Sequence, residues 1–178
     1  MINYKEKLHD IKAFVFDFDG VMTDGSVWTY NNGDTIRSAN VKDGYAIQYA
    51  VKQGYTIAVI SGASSPSIDN RMNALGVTLC MTGCNNKLAT YRKFLEDNHL
   101  SEHQVVGMGD DIPDYQMLQH CGIATCPADA AVEIKEICDY ISIRAGGKGC
   151  VRDIIEQTLR LQGRWFNPDD EKHSALLW

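Results

Sequence analysis

Asp17 and Asp19, separated by one residue in the run AFVFDFDGVMTDG, are the side chains of this chain best placed to do chemistry. Strand alternation puts both on one side of an apolar strand about to end, with Phe18 pointing away. Two carboxylates that close repel, and a divalent cation or a shared proton is the usual compensation. Gly20 then lets the backbone turn sharply. Polar groups also follow three later apolar runs. Ser61-Gly62 comes after Thr56–Ile60 and offers a hydroxyl and two free backbone amides to an oxyanion. Lys87 follows the small loop Thr82–Asn86, where a cation beside a helix N-terminus suits an anionic ligand. Asp110 and Asp111 follow Val105–Met108, with Asp114 one helical turn on. A hard cation with oxygen ligands fits these acids, Mg²⁺ best of all.

Together these groups supply the parts that phosphoryl transfer needs. Asp17 is expected to attack phosphorus and become an aspartyl phosphate. Asp19 is expected to protonate the leaving alkoxide and later deprotonate the attacking water. Mg²⁺ is expected on Asp17, the Asp19 carbonyl and Asp110, while Ser61, Gly62 and Lys87 hold the phosphoryl group in line. Asp111 or Asp114 is expected to support that metal site from behind.

The elements that must position these residues alternate. Apolar runs at Ala13–Phe18, Thr56–Ile60, Val77–Cys80, Val105–Met108, Gly122–Ala124 and Tyr140–Ile143 read as strands. Helical patterns at Gly44–Lys52, Pro66–Leu75, Lys87–Asn98, Pro113–His120, Ala130–Cys138 and Val151–Leu161 lie between and after them. That rhythm predicts a doubly wound, mainly parallel α/β sheet with helices on both faces. Ligands then bind beyond the carboxyl ends of the strands. One insert breaks the rhythm: Ser26–Tyr30, Asn31-Asn32-Gly33 and Asp34–Ser38 read as a β-hairpin overhanging the Asp pair. The stretches between Asp19 and Ser61, and between Lys87 and Asp110, have no room for an inserted cap domain. Residues 1–162 read as one domain and 163–178 as a tail.

Composition bounds the function. With 178 residues, 44% of them hydrophobic, the chain can bury one real core. A net charge of −6 argues against nucleic acid or an anionic membrane surface as partner. No stretch approaches the about 18 apolar residues of a membrane span, and the N-terminus lacks a signal-peptide pattern, so a cytoplasmic location is expected. The six cysteines lack zinc-finger spacing and read as reduced thiols.

The order DxDG…SG…K…GDDxxD resembles the haloacid dehalogenase superfamily of phosphotransferases over nearly the whole chain. By the pattern of that superfamily, an acid at position 19 implies a phosphatase or mutase. NVKDGYAIQYA from Asn40, the hairpin GSVWTYNNGD and AGGKGCVRDI from Ala145 are similar to the 3-deoxy-D-manno-octulosonate 8-phosphate phosphatases. That resemblance implies an eight-carbon sugar-acid phosphate as substrate, a role in lipopolysaccharide synthesis, and a capless homotetramer. It also implies substrate contacts at Asp19, Asn40, Val41, Lys42, Asp43, Gly44 and Arg71. Gln48 and Ala63 stand where some relatives have arginines. Cousins acting on nine-carbon sialic-type acid 9-phosphates carry Glu at the Ala63 position and Lys at the Ala74 position, so the chain leans to the eight-carbon acid.

Plainer readings compete. Arg71 serves equally as a surface ion pair, and the three tryptophans as packing residues. Gly146–Gly149 is not a P-loop, since the spacing and the Ser/Thr are missing. A phosphoacceptor domain of the response-regulator kind also uses an acidic pocket, Mg²⁺, a hydroxyl and a lysine, but has no need of an acid/base at position 19. A non-catalytic binding domain on the same scaffold is the remaining alternative.

Overall fold

The computed structural model describes residues 3–166. A short helix α1 (Tyr4–Lys7) leads into β1 (Ala13–Phe16) and a hairpin of β2 (Trp28–Thr29) and β3 (Thr35–Ile36). The chain continues through α2 (Val41–Lys52), β4 (Thr56–Ile60), α3 (Pro66–Ala74), β5 (Leu79–Met81) and α4 (Lys87–Asp97). It then runs through β6 (Val105–Met108), α5 (Tyr115–Leu118), β7 (Ile123–Cys126), α6 (Val132–Ile137), β8 (Tyr140–Ile141) and α7 (Cys150–Leu161). Six strands pair in parallel in the order β5-β4-β1-β6-β7-β8. The expected doubly wound sheet is present. Among the described residues its only interruption is the hairpin, and no cap domain is inserted.

Alternation along β1 divides the core in two. Phe14 and Phe16 join the cluster under α2 and α7, while Ala13 and Val15 join the cluster under α4, α5 and α6. Helix α7 buries Val151, Ile154, Ile155, Thr158 and Leu159, the i, i+3, i+4, i+7, i+8 stripe of a helix lying on a sheet. Because all six strands point the same way, the ends of β1, β4, β5 and β6 open on one edge. After β5 the chain crosses back past β1 to start β6, and this reversal of strand order leaves a crevice beside β1.

Several boundaries differ from the sequence expectation for physical reasons. Strand β1 stops at Phe16, not Phe18. The Asp17 amide still bonds the Met108 carbonyl at 3.0 Å, but the Phe18 carbonyl accepts from Met22 and Thr23, which turns the chain out of the sheet. The two acids therefore stand just beyond the strand. The expected helix at Pro113–His120 is split into a 3-10 turn at Ile112–Asp114, fixed by a reciprocal Asp111–Asp114 capping box, followed by α5. The hairpin pairs only two residues per strand. Gly33, with φ of 87°, supplies the left-handed position of its three-residue loop.

The expected tail from 163 does not begin as a loose end. The Arg164 and Trp165 amides bond the Leu159 carbonyl, and Trp165 packs on Tyr45 and Tyr49. Residues 167–178, including Trp178, lie outside the described residues. Trp28, expected to pack, is 70% exposed. Cys126 and Cys150 are buried, the other four cysteines are half-buried, and all six are free thiols.

Candidate active site

Asp17, Asp19, Ser61, Gly62, Lys87 and Asp110 line one cleft of about 320 Å³ at the carboxyl edge of the sheet, together with Gly20, Ala63, Asp111 and Asp114. They arrive from the ends of four strands: Asp17 and Asp19 from β1, Ser61 and Gly62 from β4, Lys87 from β5 and Asp110 from β6. Asp17 Oδ1 accepts the Phe18 amide at 2.7 Å, and its Oδ2 lies 3.0 Å from Lys87 Nζ. One carboxylate is thereby held at both oxygens. Lys87 is the first residue of α4, whose N-cap Asn86 accepts the Ala89 amide at 2.9 Å. Its ammonium also donates to Asp114 Oδ1 at 2.6 Å, with all three side chains largely buried.

Asp114 completes this triad, a part the sequence reading left undivided between Asp111 and Asp114. Its second oxygen accepts the Asp110 amide at 3.1 Å. Both oxygens of Asp114 thus face donors, so it orients Lys87 and the 110–114 loop. Asp111 instead caps the 3-10 turn through its bond to the Ile112 amide. Asp110 stands over Gly20, where any side chain would collide with its carboxylate. Gly20 is thus required twice, for its φ of 79° and for its missing Cβ.

Acceptor oxygens of Asp17, Asp110 and Asp114 lie within 4.8 Å of one another. Burial raises the Asp17 carboxyl to about 7, and Asp114 adds to this against the pull of Lys87. Burial likewise raises Asp110 to about 7, with Asp114 and Asp111 adding their charge. For Lys87, burial works against the ammonium, but Asp17 and Asp114 outweigh it and hold its pKa above the ordinary value. One lysine faces three carboxylates, so the cluster lacks positive charge. The donor set fits a hard divalent cation, and Asp17 and Asp110 are the carboxylates with room to hold it.

One correction concerns Ser61. Its amide is not free, since it bonds the Met81 carbonyl at 2.9 Å and completes the pairing with β5. Its hydroxyl accepts the Ala63 amide at 3.2 Å, and the hydroxyl and Gly62 remain at the cleft.

The other residues expected to touch substrate are not gathered into this cleft. Asn40, Val41 and Lys42 line a separate, larger hollow of about 910 Å³ with Arg144, Lys148 and Arg152. Asn40 caps α2 through the Lys42 amide and donates to the Gly147 carbonyl. Asp43 is buried and accepts the Arg152 amide at 2.7 Å, so it caps α7. Gly44 leaves the space that the Arg71 guanidinium fills against α2. Arg37, absent from the sequence reading, is brought to the site: its Nε donates to Asp19 Oδ1 at 2.6 Å. The sequence placed the hairpin over the Asp pair but carried no sign of which side chain reaches down.

A parallel α/β sheet that delivers Asp17, Ser61, Lys87 and Asp110 from successive strand ends defines a hydrolase of the haloacid dehalogenase type. The family model described as haloacid dehalogenase-like hydrolase matches residues 85–151. The chain is 32% identical over 158 residues to the 3-deoxy-D-manno-octulosonate 8-phosphate phosphatase of Escherichia coli (strain K12), covering 89% of this chain and 84% of that one. A probable YrbI family phosphatase from Pseudomonas syringae superposes with a TM-score of 0.90 at 31% identity, covering 98% of this chain and 97% of the other. The 3-deoxy-D-manno-octulosonate 8-phosphate phosphatase of Moraxella catarrhalis, solved with magnesium ion, phosphate ion and KDO, gives a TM-score of 0.89 at 27% identity over 93% of this chain and 95% of that one. The chain belongs to the 3-deoxy-D-manno-octulosonate 8-phosphate phosphatase family of haloacid dehalogenase-like hydrolases.

Proposed function

We propose that this chain is a Mg²⁺-dependent phosphatase that hydrolyses 3-deoxy-D-manno-octulosonate 8-phosphate to the free sugar acid and phosphate, in lipopolysaccharide precursor synthesis. The observation that carries this reading is the Asp17–Lys87–Asp114 triad, at 3.0 and 2.6 Å, beside Asp19 in one cleft. The Phe18 amide and Lys87 fix the Asp17 carboxylate for attack on phosphorus, forming an aspartyl phosphate as the sugar alkoxide leaves. Asp19 gives that alkoxide a proton. It then takes a proton from the water that attacks phosphorus and returns Asp17 to its carboxylate. The Lys87 ammonium, the Ser61 hydroxyl and the Gly62 amide hold the phosphoryl oxygens. Asp17, Asp110 and the Asp19 carbonyl would hold Mg²⁺, which would supply the charge that lets the acids and a phosphate share the cleft.

The eight-carbon acid is favoured over a nine-carbon acid by two positions. Ala63 lines the cleft without a charge, and at Ala74 the carbonyl accepts from Gln48 Nε2 at 3.2 Å, so neither supplies the Glu/Lys pair. A non-catalytic phosphoacceptor is disfavoured by Asp19, a second acid at the cleft that phosphoacceptance alone does not need.

The active form is proposed to be a cytoplasmic homotetramer. With no cap over the cleft, a neighbouring subunit is the proposed way to exclude water, and Arg71, which does not line its own cleft, is proposed to reach an adjacent one. No helix among the described residues is long and apolar enough to cross a membrane. The proposed domain is 1–162 with the segment from 163 as an appendage, and neither nucleic acid nor membrane is a proposed partner. Phosphate release across a panel of sugar-acid and simple sugar phosphates tests the substrate. Highest kcat/KM on the octulosonate 8-phosphate is expected, and a preference for a nine-carbon acid 9-phosphate would overturn the assignment. Asp17→Asn should abolish turnover with the fold intact, and Asp19→Asn should slow it by about 10²–10⁴-fold.

A further inference from the structure

We infer that Arg37 is a positioning residue that holds the acid–base carboxylate of Asp19, making the hairpin part of the catalytic apparatus; this rests on the role proposed above for Asp19. The Arg37 side chain is 9% exposed although the hairpin around it is open to solvent, with Trp28 70% and Tyr30 57% exposed. Its Nε meets Asp19 Oδ1 at 2.6 Å, a short charge-assisted bond, and its Nη1 donates to Thr35 Oγ1 at 3.1 Å. The planar guanidinium is thus fixed from the hairpin side before it grips the carboxylate.

Among the described residues, the other side-chain contact to Asp19 is weak. Thr23 Oγ1 lies 3.5 Å from Oδ1, at the limit of a hydrogen bond, and that hydroxyl already accepts the Gly20 and Gly25 amides. Asp19 lies on a turn beyond β1, so no strand fixes its side chain. Arg37 is its strong anchor, and it grips Oδ1. Oδ2 is then the oxygen left to move the proton, first to the leaving alkoxide and then from water. A lysine in place of Arg37 would keep the charge but not the paired contacts to Thr35 and Asp19.

The test compares Arg37→Met, Arg37→Lys, Asp19→Asn and the double variant Asp19→Asn/Arg37→Met in single-turnover kinetics. Two substrates are used: octulosonate 8-phosphate, whose alkoxide needs a proton, and p-nitrophenyl phosphate, whose leaving group does not. Arg37→Met should slow leaving-group release from the sugar phosphate by about ten- to a hundredfold, and much less for the p-nitrophenol burst. Arg37→Lys should recover part of that loss. In the Asp19→Asn background, removing Arg37 should have no further effect. Equal losses on both leaving groups, or a full additional loss in the double variant, would show a structural role and overturn the inference. Arg37→Met at the wild-type rate, beside a slow Asp19→Asn, overturns it alone. An Asp19→Asn variant as fast as wild type would sink the functional reading and this inference with it.

Discussion

Asp43 Oδ1 accepts the backbone amide of Arg152 at 2.7 Å, so a side chain on α2 caps a helix that lies 109 residues further along the chain. Helix α7 needs this help because its N-cap is Gly149, which has no side chain to offer its first amides. The cap explains why an aspartate is buried beneath α2, away from the cleft.

Burial raises the Asp43 carboxyl to about 6, against the pull of the Arg152 and Gly149 amides, and its Oδ2 has no partner among the described residues. A carboxyl raised on folding stabilises fully below about pH 4. That contribution is lost progressively up to about pH 6 and is absent above. Asp43→Asn keeps the accepting oxygen and removes the titration. Relative to wild type, the variant should gain stability as pH rises from 4 to 7, by roughly 3 kcal/mol at most. Asp43→Ala should lose about 1–2 kcal/mol with the cap. Urea melts at several pH values decide it. Parallel wild-type and Asn curves would mean that folding does not shift the Asp43 carboxyl.

Metal binding should compete with protons. Asp17 and Asp110 both sit near 7 without a cation, for burial and for mutual repulsion with Asp114. Below that pH a Mg²⁺ ion must displace protons to reach its ligands. Calorimetric Mg²⁺ affinity should therefore fall by about tenfold or more per pH unit below about 6.5, and level off above about 8. Chelation should stop turnover and Mg²⁺ should restore it, with Ca²⁺ a poor substitute. Affinity independent of pH from 5 to 8 would take Asp17 and Asp110 out of the metal site.

The strands that build the cleft were legible because their apolar runs are short and bounded, and the polar residue after each run was the informative one. Thr56–Ile60 and Val105–Met108 have the expected limits, with Ser61 directly after the first and Asp110 one residue beyond the second. What stayed hidden was tertiary. Nothing local distinguishes Asp43, two residues past a helix start, from a ligand-binding acid, since its partner belongs to α7. Arg37 was equally silent, because its meaning depends on how a two-residue strand leans over Asp19. Asp114 could be placed on a helix turn, but only the fold shows it sharing Lys87 with Asp17.

Lys87 should matter to stability as well as rate. It is buried between two carboxylates, and removing it leaves both without a counter-charge. Lys87→Met is expected to cost about 3–5 kcal/mol at pH 8 and to abolish turnover. Much of the stability loss should vanish at pH 5, where Asp17, whose carboxyl burial raises to about 7, can take up a proton. Denaturation at the two pH values measures this. A variant as stable as wild type at pH 8 would mean that solvent reaches the triad.

The hairpin carries the last prediction. Trp28 and Ile36 pair directly across its two strands, and Thr29 faces Thr35 in the next register. Alternation sends Thr35 and Arg37 to the face that meets Asp19, and turns Trp28, Tyr30 and Ile36 to the other. That outer face exposes 70% of Trp28, 57% of Tyr30 and 44% of Ile36. A ribbon of two-residue strands does not hold such a surface alone, whereas copies of it can close into a shared barrel around an axis. Trp28→Glu should then lower the mass in light scattering from a tetramer to smaller species. Turnover should fall with it, because the lost neighbours leave the cleft open to water and loosen the ribbon that carries Arg37. Wild-type protein should lose specific activity on dilution at the same concentrations at which its mass falls. A Trp28→Glu tetramer, or a fully active wild-type monomer, would end the idea that neighbouring copies complete the site.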